Sequence, residues 1–579
     1  MAIGPLLAGD PVTTKPARSS WRARFRPLAL ATTSAVLLWL AFPPAEWNWL
    51  AWGALVPLFL LIQGERPKFS TYLGTYGGGF VFWLLAIHWV WWTDETALLG
   101  LVVMSAVLAL WWPGFLLVAR FVTRRLQLPT LVVAPVAWVG LEYLRAHVLT
   151  GFPWYYLAHT QYRIAYLTQI SDFTGSLGLS FLIAVVNAYV VDVLSLPLFR
   201  PMAKGSAWAR LAGPQKARLV AVAGFVLATL GYGLFRVELA SFRPGPRVAL
   251  LQTNEVQEYN SDRKKSPEKL AAQLEALTLR ALDQTPPPDL IVWPETSYPY
   301  GYVQIDPKID TKTLDGQVKE IHPEYVAADW TLKRDRIDTY FDRLTRSVKV
   351  PIMVGSTLYD FRPERYSKYN SAILFQLGSA YQVYQKLHLV PFGEYVPLID
   401  VFPWLQALTP YRGTRLHFLD FGAEPAWFSL GPWRLAVAIC FEDTVPHVVR
   451  RFFAEAPEGR QPDLLVNMSN DGWFHETSEH EMHLAVSTFR CVENRTPMVR
   501  SVNTGVSALV DGNGRIVETM AKNVEGVLTV TAPLDDRTSL YSQWGDWLGL
   551  SCLASSLGMA FLAIFAPRRG PTDRDDAVI

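Results

Sequence analysis

Two patterns of apolar positions divide the chain. From Pro27 to Arg236 seven apolar runs recur, centred near Val36, Leu55, Leu84, Ala106, Ala137, Ala184 and Ala223. Most of them reach the roughly 20 residues that a helix needs to cross a bilayer. The first, over residues 28–42, is short and leaves through Pro43 and Pro44. An eighth run covers about residues 544–566. Between the seventh and the eighth, short β-rich runs alternate with helical stretches. Residues 248–253, 289–293, 351–355, 371–375, 435–440 and 463–467 predict strands, and 270–282 predicts a helix. Residues 506–510, the turn Asp511-Gly512-Asn513-Gly514 and residues 515–518 predict a hairpin. The stretch 302–334 is polar and weakly patterned, and reads as an inserted loop. The expected architecture is a multi-pass bundle of about eight transmembrane helices plus an α/β domain of sheets covered by helices.

Loop charge orients such a bundle. The N-terminal tail carries Lys15, Arg18, Arg22, Arg24 and Arg26. The second, fourth and sixth connections carry Arg66 and Lys68, then Arg120, Arg124 and Arg125, then Arg200, Lys204, Arg210, Lys216 and Arg218. The C-terminal tail carries Arg568, Arg569 and Arg574, whereas the first, third and fifth connections hold only Arg145 and Arg163. The alternation puts both termini in the cytoplasm and the large domain outside. The boundaries this implies are a basic tail over 1–27, seven helices over 28–236, the outside domain over 245–535, an eighth helix over 541–566 and a tail over 567–579. A cleaved signal peptide is the competing reading of the first run, but another apolar segment follows it almost at once.

Composition narrows the class. The chain of 579 residues is 50% hydrophobic and 18% charged, with a mean hydropathy of +0.16. These values exclude a disordered or nucleic-acid-coating chain and are too apolar for an ordinary soluble enzyme. The 22 Trp and 23 Tyr suit a protein at a membrane interface. The net charge of +2 names no partner. Cys440, Cys491 and Cys552 cannot build a disulfide framework, and free thiols are expected.

Three strand ends of the outside domain present reactive groups: Glu295 after a Trp-Pro step, Lys386 with Glu394 eight residues on, and Cys440 before Phe441, Glu442 and Asp443. Each has a bland reading as core thiol, helix-end charge or surface lysine. Together they form a workable set. A thiol is mostly protonated at neutral pH, so a carboxylate base and a nearby ammonium favour the thiolate. The same ammonium can face an oxyanion. The set suits acyl transfer through a thioester.

These residues resemble the Glu-Lys-Cys triad of the nitrilase, or carbon–nitrogen hydrolase, superfamily. Residues 467–474 (NMSNDGWF), and His483, Arg490, Glu493, Arg495 and Asn503-Thr504-Gly505, are similar to that superfamily too. Glu142-x-x-Arg145, residues 150–154 (TGFPW) and the stretch from Gly175 to Asn187 resemble the bundle of the apolipoprotein N-acyltransferase family. The resemblance covers about residues 28–566. It implies an αββα sandwich domain in the periplasm, anchored in a bacterial inner membrane, in a monomer that needs no cofactor. It also implies a ping-pong reaction. Cys440 would attack the sn-1 ester of a phospholipid, typically phosphatidylethanolamine, and the thioester would acylate the α-amine of a diacylglyceryl-cysteine apolipoprotein. Glu295 would be the base and then the acid, and Lys386 would stabilise the oxyanion. Glu394 and Glu442 match supporting acids. The family usually has Tyr where Phe441 stands, and often has a Trp in the segment where Tyr259 is the nearest aromatic.

The apolar loop 391–409, with Phe402 and Trp404, reads either as packed on its own domain or as a lid that dips into the bilayer. His475, His480 and His483 lack the H-E-x-x-H spacing, and no metal is expected. Glu142 is expected to pair with Arg145 or to cap the 150–154 loop. Two rivals stay open. One is a membrane-anchored amidase or nitrilase; the other is an inactive lipid or lipoprotein carrier.

Overall fold

The computed structural model describes residues 21–63, 68–93, 97–194, 213–255, 266–399, 401–408 and 418–567. Every apolar run of the first half is helical. The helices are α1 (Trp21–Ala41), α2 (Val56–Gln63), α3 (Phe69–Ala86), α4 (Ala97–Ala109), α5 (Trp111–Leu126), α6 (Thr130–Arg145), α7 (Ser176–Leu194) and α8 (Gly213–Glu238). Among the described residues, four segments are long and apolar enough to cross a membrane: α4 with α5, α7, α8 and the helix Trp547–Phe565. The helices over Phe25–Ala41 and Asn48–Gln63 are apolar but shorter. Gly74 and Gly78 let α3 lie directly on α1. A Cβ at Gly78 would meet the Ala31 side chain at 2.4 Å, and one at Gly74 the Leu28 nitrogen at 2.7 Å.

Two charge placements differ from the sequence reading. Helix α1 starts at Trp21, so Arg22, Arg24 and Arg26 belong to its first turns rather than to a tail. Arg120 is not a connection charge. It is buried on α5 and donates to the Leu61 carbonyl in the last turn of α2, where helix carbonyls lack intrahelical partners.

The second half is built from β1 (Phe242–Gln252), α9 (Pro267–Ala281), β2 (Leu290–Val292), β3 (Tyr302–Ile305), α10 (Thr311–Ile321), α11 (Ala327–Val348), β4 (Ile352–Phe361), β5 (Tyr366–Phe375) and β6 (Gln382–Gln385). It continues with β7 (Trp427–Leu430), β8 (Trp433–Ile439), α12 (Pro446–Ala454), β9 (Leu464–Ser469), α13 (Glu479–Asn494), β10 (Met498–Val502), β11 (Ala508–Val510), β12 (Ile516–Thr519) and β13 (Gly526–Asp535). One sheet runs β13-β1-β2-β4-β5-β6 with β3 beside β4, and the other runs β12-β11-β10-β9-β8-β7. The stretch 302–334 is therefore no loop. It holds β3, α10 and the start of α11. Asp310 caps α10 by accepting from the Thr313 N–H, and Leu314 and Val318 bury its single apolar stripe. So narrow a stripe in a polar segment looks weak in sequence.

Alternation along the strands separates two cores. Val248 and Leu250 face the second sheet, with Val437, Val466 and Val499, whereas Ala249 and Leu251 face outward to Leu270 and Leu274 of α9 and Phe341 of α11. On the far side of the second sheet lie α12 and α13. Helix α13 has two apolar faces: Leu484 and Cys491 join the sheet core, while Met482, Ala485, Val486 and Phe489 join the core of the bundle. The result is an αββα sandwich whose second helical layer is roofed by the bundle. The chain then enters α14 (Trp547–Phe565), which contains Cys552. All three cysteines are free.

A buried ion pair locks the two halves together. Asp172, between the bundle helices, accepts from Arg495 Nε just after α13 at 3.0 Å and from Tyr232 on α8 at 2.7 Å. Arg236 of α8 lies 2.7 Å away. Removing the charge of one partner leaves buried guanidinium groups uncompensated. Asp172→Asn is expected to destabilise the protein by about 3–5 kcal/mol, read as a lowered thermal midpoint in detergent. An unchanged midpoint would show that the joint does not rest on this pair.

Candidate active site

Glu295, Lys386 and Cys440 come from three strand ends and meet at one edge of the sandwich. Glu295 follows β2 and Lys386 follows β6, both in the first sheet; Cys440 follows β8 in the second. Cys440 has φ +52° and Thr296, next to Glu295, has φ +44°. Non-glycine residues rarely adopt that region, and such turns aim a nucleophile away from its strand.

The charges are arranged in a chain. Lys386 is buried, with Nζ 3.2 Å from Glu295 Oε1 and 3.0 Å from Glu394 Oε1. Burial disfavours the ammonium, but the two carboxylates outweigh it and hold the pKa above the ordinary lysine value. Asn370 on β5 uses its amide to bridge both acids, donating to Glu295 Oε1 at 2.7 Å and Glu394 Oε1 at 2.9 Å. The second Glu295 oxygen accepts the Asn470 N–H at 2.9 Å, and the second Glu394 oxygen accepts the Val390 N–H at 2.8 Å. Burial, reinforced by the Glu295 charge, pushes the Cys440 thiol well up despite Lys386. The resting sulfur is thus a thiol.

Glu442 plays a different part. Its Oε2 accepts the Ile439 N–H at 2.7 Å, and its Oε1 accepts the N–H groups of Leu387 at 2.6 Å and His388 at 3.0 Å. Tyr384 donates to it at 2.8 Å. It ties the Cys440 elbow to the strand end that carries Lys386. Burial pushes its pKa up to about 7.

Phe441 is half-buried between His388, 5.8 Å away at 22°, and Trp154 of the bundle loop, 6.5 Å away at 14°. An aromatic face satisfies this stack without a hydroxyl. Arg145 holds that loop by donating to the Phe152 carbonyl at 2.9 Å, and Glu142 accepts the Leu157 N–H at 3.0 Å. Arg145 thus caps the 150–154 loop, whereas Glu142 accepts from Leu157 beyond it and from Trp138, and the two form no direct salt bridge among the described residues. Within 391–405 the described side chains divide: Val396 is buried, whereas the tip is exposed. Val401, Phe402 and Trp404 are 66%, 45% and 63% exposed. Tyr259 lies outside the described residues.

The sequence reading missed Asn370 and gave Asn470 no role. Asn370 sits directly before the apolar run of β5. No local pattern marks it as the bridge between two acids that are distant in sequence.

A reactive edge on an αββα sandwich defines the carbon–nitrogen hydrolase class, and the profile for carbon-nitrogen hydrolases matches residues 247–541. Residues 34–189 match the apolipoprotein N-acyltransferase N-terminal domain. The chain is 33% identical to the apolipoprotein N-acyltransferase of Geobacter metallireducens, over 93% of this chain and 95% of that one. It is 28% identical to that of Rhodopirellula baltica, over 92% and 96%. It is 25% identical to apolipoprotein N-acyltransferase 1 of Treponema denticola, over 93% and 96%. The chain belongs to the apolipoprotein N-acyltransferase family.

Gly355 on β4 makes room for the Glu295 turn. A Cβ there would meet the Pro294 carbonyl oxygen at 2.2 Å and Glu295 Cα at 2.7 Å. Gly355→Ala must push the carboxylate away from Lys386. Displacement on the order of 1 Å is expected to slow turnover about 100-fold, measured as the single-turnover rate on the folded variant. A rate within twofold of the parent would detach Gly355 from the site.

Proposed function

We propose that Cys440, Glu295 and Lys386 carry out the acyl transfer of this N-acyltransferase. Glu295 takes the thiol proton as the sulfur attacks the sn-1 ester carbonyl of a phospholipid, typically phosphatidylethanolamine. Lys386 stabilises the oxyanion. The ester C–O bond breaks, and Glu295 returns the proton to the leaving oxygen to give a lysophospholipid. The α-amine of an apolipoprotein's diacylglyceryl-cysteine then attacks the thioester. Its proton goes to Glu295, the C–S bond breaks, and the Cys440 thiol is restored. The observation that carries this reading is the Glu295–Lys386–Glu394 chain beside a protonated thiol, since it supplies both base and cation where the thiol needs them.

The surroundings favour lipid over a small amide. Eight apolar helical runs and the loop-charge asymmetry support a multi-pass inner-membrane protein with cytoplasmic termini and a periplasmic catalytic domain. The exposed apolar segment beside Glu394 supports a lid that enters the bilayer and admits acyl chains. Glu394 fixes the lysine, Glu442 the elbow, and Phe441 the contact with the bundle. No step calls for a metal or other cofactor.

Incubating the protein with phosphatidylethanolamine should add one fatty-acyl increment to its intact mass. Hydroxylamine should remove the increment, and Cys440→Ala should never acquire it. A diacylglyceryl-cysteine peptide should discharge it onto its amine. Release of free fatty acid or ammonia without amine acylation would favour the amidase reading, and no increment on folded protein would favour an inactive carrier. Replacing both Phe402 and Trp404 with Ser is expected to slow acylation about tenfold or more, at an unchanged thermal midpoint. Acylation at the parent rate would remove the lid role.

A further inference from the structure

Below the reaction site, the segment after β9 and the first turns of α13 gather four ionisable side chains that the acyl transfer does not use. They are Asp471, Glu479, His480 and His483, each at most 2% exposed. Glu479 and His483 are four residues apart and share one side of α13. His483 Nδ1 lies 3.5 Å from both Asp471 Oδ1 and Glu479 Oε1. His480 Nδ1 lies 3.7 Å from Asp471 Oδ2 and 3.8 Å from Glu479 Oε2.

The hydrogen bonds on the far side of each ring assign its tautomer. His483 Nε2 is 2.8 Å from Asp443 Oδ1, and His480 Nε2 meets the His475 carbonyl. Both partners can only accept, so Nε2 carries the hydrogen and Nδ1 of the neutral ring is a lone pair. Asp443 is itself paired with Arg500. Lone pairs therefore face carboxylate oxygens. Both Nδ1 atoms, Asp471 Oδ2 and Glu479 Oε2 make no hydrogen bond. Two buried carboxylates in such a place are strongly unfavourable unless protons on the two imidazoles or a bound metal ion balance them.

The spacing says what kind of cation. Charge-assisted hydrogen bonds close to about 2.7–2.9 Å. Ligands about 2.1 Å from a tetrahedral ion are instead about 3.4 Å apart, close to the 3.5 Å seen from His483 to each carboxylate. The three ligand atoms lie within 4.8 Å of one another. We propose that Asp471, Glu479 and His483 bind one divalent transition-metal ion of the zinc class, with His480 against the outer carboxylate oxygens. Mixed imidazole and carboxylate donors suit zinc better than magnesium or calcium, which take oxygen ligands. Asp443 behind His483 is the outer carboxylate that orients a ligating imidazole. The ion joins Asp471 to α13, and Asp471 adjoins Asn470, whose N–H holds Glu295. Its part is positional, outside the acyl chemistry. Histidine spacing hid the site because two of its three ligands are carboxylates.

The test uses the full-length protein in detergent, without a polyhistidine tag. The protein is stripped with chelator, loaded with zinc chloride, desalted and assayed by plasma mass spectrometry. About one zinc per chain is expected, and Glu479→Gln and His483→Asn should bind about tenfold less. X-ray absorption of the wild type should show a nitrogen–oxygen shell without sulfur, and Cys440→Ala should retain the ion. Less than about a tenth of an equivalent in the wild type, unchanged zinc in both variants, or sulfur in the shell would each overturn the proposal. The wild-type stoichiometry and spectrum stand even if a variant fails to fold.

Discussion

The site depends on the buried Glu442 carboxylate. Cys440 hangs from one sheet and Lys386 from the other, and packed apolar faces alone do not fix how two such strand ends meet. Glu442 accepts from Ile439 on the Cys440 side and from Leu387 and His388 on the Lys386 side. Tyr384 completes the set. A buried carboxylate is costly, and its pKa of about 7 reflects burial that outweighs its hydrogen bonds and the Lys386 charge. Four donors offset the cost, and they exist only when both strand ends are in place. The residue thus converts correct assembly of the sandwich into correct placement of sulfur against ammonium.

Much of this was legible in the sequence, for a physical reason. Strand exits in α/β folds leave backbone and side chains unpaired at an edge, so Glu295, Lys386 and Cys440 stood out as polar groups at strand ends, and the resemblance to the nitrilase triad joined them. The strand over 248–253 was legible because its alternating faces feed two different cores, and that over 435–440 because it is apolar on both faces. What escaped was of three kinds. Asn370 bridges two acids that are distant in sequence, and no local pattern encodes a bridge. Helix α10 buries only a narrow stripe, so its polarity masked its order. Arg120 looked like a loop charge because composition does not reveal that a guanidinium can serve a neighbouring helix's last carbonyls.

The bundle is more than an anchor. Helix α13 would be the solvent-facing layer of an isolated sandwich, yet its outer face carries Met482, Ala485, Val486 and Phe489 into the bundle core. The same helix begins beside the loop that holds Glu295. Asp172 and Arg495 clamp its far end. Trp154, held by Arg145, reaches from the bundle to Phe441, one residue from the sulfur. Catalytic geometry and membrane packing therefore share side chains.

That sharing bears on why such a site transfers an acyl group rather than hydrolysing it. Water is far more abundant than any lipoprotein amine, so a thioester survives only where water is kept out. The stack of Trp154, Phe441 and His388 closes the side of the site facing the bundle with rings. Burial also raises the thiol pKa, which would stall a thiol left to ionise by itself. In the proposed reaction the Glu295–Lys386 pair would answer that cost, because a base in place removes the proton only as the sulfur attacks. Exclusion of water and a built-in base are then two halves of one requirement, and the buried lysine between two acids is the feature that reconciles them.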